Sequence, residues 1–219
     1  WCLRWKCCSA GELLLYYHRL QQTYPMLPFD LLRIPVFSLS VATSIVSFMA
    51  QMLAMIALPF MFHITFGMNA VETGLLMTAW PLVIVFVSPV AGILAARIHP
   101  GILGGVGLFI MSIGCFSLSW IPLDATYFQI VWRLMLCGLG FGLFQSPNNH
   151  LILTSAPAYR SGGASGMQAM ARLIGQTSGA ALVALLFHFG GDGASHEAML
   201  LAAIMTLCGS MVSCLRSRV

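Results

Sequence analysis

The sequence predicts an all-α integral membrane protein, a bundle of six membrane-crossing helices. Three observations carry this prediction. Only 7% of the 219 residues are charged and 59% are hydrophobic, whereas a water-facing domain is about 25% charged. The apolar residues come in continuous runs near the length of about 20 that crosses a bilayer as a helix, without the alternation of a barrel strand. The basic residues between those runs fall in every second connection.

The runs cover about residues 36–62, 73–96, 101–121, 127–153, 164–189 and 197–215. The stretches between them, HITFGMNAVE, RIHPG, PLDATY, SAPAYRSGG and GGDGASHE, carry turn chemistry. Arg4, Lys6, Arg19 and Arg33 precede the first run, Arg97 follows the second, Arg160 the fourth, and Arg216 and Arg218 the sixth. The remaining connections hold Glu72, Asp124, Asp192 and Glu197 and no Lys or Arg. The positive-inside rule then expects both termini in the cytoplasm, in agreement with an even number of spans. Three segments follow: a basic cytoplasmic segment 1–35, read as the remnant of a preceding helix, a six-span domain 36–215, and a basic cytoplasmic tail 216–219. The chain opens on Trp1, and the apolar stretch LLLYY at 13–17 is too short for a signal peptide. The expectation is a piece of a longer protein or the product of an altered upstream reading frame.

Composition excludes other classes. The net charge of +4 comes from scattered arginines and not from a basic patch, which excludes nucleic acid as a partner. Cys115, Cys137, Cys208 and Cys214 lie in or beside apolar runs, where Cys acts as a small hydrophobe. Cys2, Cys7 and Cys8 lie in the basic N-terminal segment. With no C-x-x-C or paired metal spacing, neither a metal nor a cofactor is expected.

The fourth run contains "GLGFGLFQSPNNH", Gly138 to His150. On a helix Gly138, Gly142, Gln145 and Asn149 fall within an arc of about 60°, flanked by Ser146 and Asn148. An unpaired amide in lipid costs several kcal/mol, so this face must meet protein or water. Glycines permit close backbone approach, and Pro147, which cannot donate to the Leu143 carbonyl, predicts a bend or local opening. The face reads either as a helix–helix seam or as a cavity wall. In the fifth run Gln168, Arg172 and Gln176 stack at a spacing of four, beside the small-residue pair Gly175 and Gly179. Arg172 either snorkels to the interface or pairs at the mouth of a cavity, and Arg133 reads as snorkelling outward. Gln51 sits near the middle of the first run, and Pro81 and Pro89 interrupt the second. Bent helices with polar midpoints are a feature of carriers.

The tetrapeptide GASG around Ser165 suggests a remote alternative, an intramembrane serine hydrolase. Geometry speaks against it. His188 ends the same run roughly 35 Å away at 1.5 Å per residue, beyond the ~3 Å a base needs. Gly162, Gly163 and Ser165 read better as a turn and helix N-cap. No catalytic residue is expected.

The stretches "PMLPFDLLRIPVFSLSVATSIVSFMAQMLAM", "ETGLLMTAWPLVIVFVSPVAGILAARIHPG", "GLGFGLFQSPNNHLI" and "RSGGASGMQAMARLIGQTSGAALVALL" closely resemble the C-terminal half of major facilitator superfamily carriers. The closest group is the fourteen-helix drug:proton antiporter subfamily of EmrB/QacA type, YebQ-like transporters included. The resemblance implies a six-helix bundle equivalent to the C-terminal half of a major facilitator fold, in the bacterial inner membrane. It further implies export of small hydrophobic or cationic compounds in exchange for protons by alternating access, with lipid and the N-terminal half of the carrier as partners. Gln51, Gly138, Gly142, Gln145, Asn148, Asn149, Gln168, Arg172 and Gln176 are then the candidates for a substrate cavity. The stretch Gly92 to Gly101 resembles a degenerate copy of the family's cytoplasmic loop motif, with Arg97 at its basic position and Ala96 in place of the usual acid. Residues 1–20 fit the family poorly. The half that usually holds the proton-linked acids is absent, and no span has an acid at mid-membrane. The chain alone is therefore expected to be incomplete, the alternative being a membrane fragment that serves only packing.

Overall fold

The structure is a computed structural model that describes residues 30–122, 124–190 and 193–216. Cys2, Cys7, Cys8, Arg4, Lys6, Arg19, Asp192, Arg218 and nearly all of segment 1–35 lie outside the described residues. The described chain is helical, with no strand. Its helices are α1 (Pro35–Ile64), α2 (Ala70–Met77), α3 (Ala79–Ala95), α4 (Pro100–Ser119), α5 (Tyr127–Ser155), α6 (Ser161–Gly190) and α7 (Ala194–Leu215). Single 3₁₀ turns at Leu31–Arg33 and Ala158–Arg160 lead into α1 and α6. With α2 and α3 counted as one span, Ala70–Ala95, six helices are long and apolar enough to cross a membrane.

Local chemistry explains the boundaries. Gly67, at φ 62°, makes the turn after α1. Asn69 and Glu72 then cap α2 reciprocally: Asn69 Oδ1 accepts from Glu72 N at 2.9 Å and Glu72 Oε2 from Asn69 N at 3.0 Å. The second span breaks at Thr78, three residues before Pro81, whose ring cannot donate to the Met77 carbonyl. At the break Thr78 gives the Gly74 carbonyl both its N–H, at 3.2 Å, and its Oγ1, at 2.8 Å. His99 caps α4 by accepting from Gly101 N at 3.2 Å, with Pro100 as its first residue. The opening predicted at Pro147 is not an interruption, because α5 continues through it, as α1 does through Pro59 and α3 through Pro89. α6 starts at Ser161, so Ser165 stands one turn inside the helix and is not its N-cap.

The spans pack in the order α3, α5, α4, α7, α1, α6, with α1 also reaching α5 through the middle. This is an open ring. The spans at its two ends, Ala70–Ala95 and Ala158–Gly190, are the least buried, at 17% and 22%. Phe48 and Phe141 meet edge to face at the centre, their ring centroids 5.5 Å apart.

Two kinds of seam hold the ring. The first is glycine against backbone. A Cβ on Gly140 would stand 2.6 Å from the Gly107 carbonyl and against Met111 N of α4, and one on Gly107 would stand 2.7 Å from the Gly140 carbonyl. Gly175 and Gly179 meet the Ile45 and Met49 carbonyls of α1 in the same way, at 2.6 and 2.5 Å. The second is hydroxyl to carbonyl. Ser112, Ser210 and Ser213 donate across the α4–α7 interface to the carbonyls of Ala203, Gly105 and Gly101, at 2.8, 2.8 and 2.9 Å. Such bonds contribute about 0.6 kcal/mol each in a membrane.

Gly140→Ala is expected to lower stability by about 1–3 kcal/mol, because two backbones must separate to admit one methyl. Gly74→Ala, with nothing within 4 Å of the new methyl, is expected to leave it unchanged or raise it slightly. Thermal unfolding of the two variants in detergent, monitored by circular dichroism, checks both.

Candidate functional site

The arc of α5 predicted to be polar does not meet one environment. Nearer the N-terminus of α5, Gly138 lies under α3, where a Cβ would stand 2.5 Å from the Trp80 carbonyl. One turn on, a Cβ on Gly142 would stand 3.2 Å from Val87, and the position for a Cβ on Gly92 is 3.4 Å from Ser146 Oγ. The α3 seam therefore follows residues 138, 142 and 146, drifting about 40° per step around α5. Gln145 and Asn149 are left on the other side of that seam, facing α6.

α6 packs firmly on α1 and barely touches α5. The gap between them is a cleft of about 470 Å³ lined by Gln145 and Asn149 from α5, by Ser165, Gln168, Ala169, Arg172, Leu173 and Gln176 from α6, and by Phe48 from α1. Ser165, Ala169, Arg172 and Leu173 are exposed, so one side of the cleft is open. Arg172 holds its guanidinium 5.9 Å from the centre of the Phe48 ring. Of the nine residues predicted as cavity lining, the structure brings together Gln145, Asn149, Gln168, Arg172 and Gln176. It directs Gly138 and Gly142 into the α3 seam. Gln51, half-buried on α1, is not among the lining residues, and Phe48, one turn earlier, is. Ala169 and Leu173 follow Gln168 and Arg172 by one residue, so the glutamine–arginine stripe was the signal that could have found them. Phe48 had none.

Asn148 goes elsewhere. One residue from Asn149, it points about 100° away into the bundle, with 1% of its surface exposed. Its Nδ2 donates to Ser44 Oγ at 2.7 Å, and its Oδ1 accepts from Arg216 Nη1 at 2.6 Å. The same Nη1 donates to Ser40 Oγ at 2.9 Å, and Nη2 to Ser213 Oγ at 3.4 Å. Charge counting assigns Arg216 to a cytoplasmic tail; in the fold it is buried and joins α1, α5 and α7. Among the described residues no carboxylate pairs with it, and its Nε has no partner. Ser40 and Ser44, four apart on α1, with Ser213 three before Arg216, were the sequence signal for this cluster.

The loop residues separate too. Arg97 is exposed. Gly101 is buried at the start of α4, where its carbonyl receives Ser213. Arg160 Nη2 donates to both oxygens of Asp30 at 2.6 Å, tying the approach to α1 to the start of α6. That hydrogen bond, with the guanidinium charge, holds the Asp30 carboxyl below its ordinary range. Ser165 donates to the Ser161 carbonyl at 3.0 Å, and among the described residues no imidazole is hydrogen-bonded to it.

A family profile described as Major Facilitator Superfamily matches residues 19–180. The chain is 56% identical over 192 residues to the uncharacterized transporter YebQ of Escherichia coli (strain K12), covering 88% of this chain and 42% of that protein. It is 28% identical over 176 residues to the multidrug resistance protein Stp of Mycobacterium tuberculosis, covering 80% and 32%. To the riboflavin transporter RibZ of Clostridioides difficile it is 26% identical over 126 residues, covering 58% and 28%. The chain spans less than half the length of these curated relatives.

The neighbouring asparagines predict opposite outcomes. Asn148→Leu removes the shortest hydrogen bond to a buried guanidinium and is expected to lower stability by about 2 kcal/mol. Asn149→Leu, at the cleft wall, is expected to change it by less than about 0.5 kcal/mol. Thermal unfolding of the two variants in the same detergent checks the contrast.

Proposed function

The chain belongs to the major facilitator superfamily, and on that premise we propose that its six spans are the C-terminal half of a secondary carrier that exports small hydrophobic compounds in exchange for protons. The observation that carries the reading is the polar cleft on the open side of an otherwise closed ring. A bundle that served only packing would bury those amides against one another, since unanswered amides are costly in a membrane. The cleft leaves them uncommitted, as a binding wall requires.

Further features support the same reading. The least-buried spans flank the open side, and α3 and α6 carry exposed apolar residues there and toward lipid, among them Phe86, Val90, Leu173 and Ile174. Alternating access then consists of rocking this half against the N-terminal half around the cleft. The described spans hold acids only near their ends, Glu72 and Glu197, so the proton-linked groups belong to the other half. Stp, the 28%-identical relative, is a multidrug resistance protein, which supports export; the fourteen-helix EmrB/QacA-type subfamily remains our reading of the sequence motifs. We assign both termini to the cytoplasm of a bacterial inner membrane from the arginine distribution, and give Gly92, Arg97 and Gly101 a part in the cytoplasmic loop that changes between states.

In a carrier completed with the N-terminal portion of the 56%-identical relative, Asn149→Leu is expected to slow efflux of a neutral hydrophobic dye about tenfold, the worth of one lost hydrogen bond of about 1.4 kcal/mol, with membrane insertion unchanged. Efflux at the unsubstituted rate would reduce the wall to a packing surface. The chain alone in liposomes is expected to carry no proton-coupled flux.

A further inference from the structure

We propose that the cleft recognises an organic anion, a carboxylate on an apolar body, and not a cation; this rests on reading the cleft as the carrier's binding wall. The first ground is charge. The cleft holds one cation, Arg172, and no carboxylate. Among the described acids, Asp30 is bound to Arg160, and Glu72, Asp124 and Glu197 stand at the opposite end of the bundle, in or beside the connections between the first and second, third and fourth, and fifth and sixth spans. Nothing described can neutralise Arg172, and a ligand cation would meet it without a counter-charge. In a membrane-embedded cleft the repulsion is screened less than in water.

The second ground is the hydrogen-bond inventory. The Arg172 guanidinium makes no hydrogen bond or ion pair among the described residues, and it lies over the face of Phe48. Its planar fork of donors matches a carboxylate in two-pronged geometry. The side-chain amides of Gln145, Asn149, Gln168 and Gln176 likewise have no hydrogen-bond partner among the described residues, and each offers two further donors. Gln168, Arg172 and Gln176 lie one above another on α6, so donors flank the guanidinium along the wall on both sides.

The third ground is the apolar complement. Phe48 lies behind the guanidinium, and Leu173 lines the same cleft. An anion held by Arg172 would lay its apolar part against these side chains. A free inorganic anion would leave that surface unused.

The test uses the purified chain in lipid nanodiscs, titrated calorimetrically with phenylbutanoate and with phenylbutylamine, the response of empty nanodiscs being subtracted. The carboxylate is expected to bind at least about tenfold more tightly than the amine, a difference near 1.4 kcal/mol. Arg172→Gln is expected to abolish that preference, and Arg172→Lys, which keeps the charge but not the fork, to retain part of it. Arg172 is exposed, and unchanged melting of both variants establishes that neither is misfolded. A preference for the amine, or an anion preference that survives in Arg172→Gln, overturns the inference and leaves the carrier reading standing. Binding of neither compound also overturns the inference, whereas the carrier reading is decided separately by the efflux assay on the completed carrier.

Discussion

In a bilayer a polar group has no water to turn to, so an amide, hydroxyl or guanidinium left unanswered by protein or by the cleft is costly. That constraint organises the structure. It sends three serines of the α4–α7 interface to carbonyls on the facing helix. It gathers Ser40, Ser44, Asn148 and Ser213 around a buried arginine that no acid accompanies. It also divides two consecutive asparagines, one committed to holding three helices together and the other left to face an open space.

The spans were legible in the sequence because the bilayer imposes their length: the six apolar runs correspond to the six helices within a few residues at most ends. Proline positions were less informative. Pro81 marks a real break, whereas Pro59, Pro89 and Pro147 sit inside continuous helices, where the surrounding contacts outweigh one missing hydrogen bond.

The site was legible by face but not by neighbour. Helical spacing groups Gly138, Gly142, Gln145 and Asn149 on one arc, yet it carries no information about which helix crosses that arc. α3 covers the glycines and leaves the amides, because a seam that follows every fourth residue drifts around the helix and soon leaves the arc. The same limit hid Arg216. Counted as a terminal charge it votes for topology; only the fold brings it beneath α1 and α5.

The attachment of α6 has a mechanical consequence. Among the described residues the side-chain hydrogen bonds of α6 are all internal to it, from Ser165 to Ser161 and from Thr177 to Leu173 and Ile174, and its seat on α1 is the smooth track of Gly175 and Gly179. α4, α5 and α7, by contrast, are riveted together by serine and asparagine. Sliding or rolling α6 along its glycine track alters the width between Arg172 and Gln145 while breaking no side-chain hydrogen bond of α6 itself, and the Arg160–Asp30 pair at its start acts as the tether about which it would move.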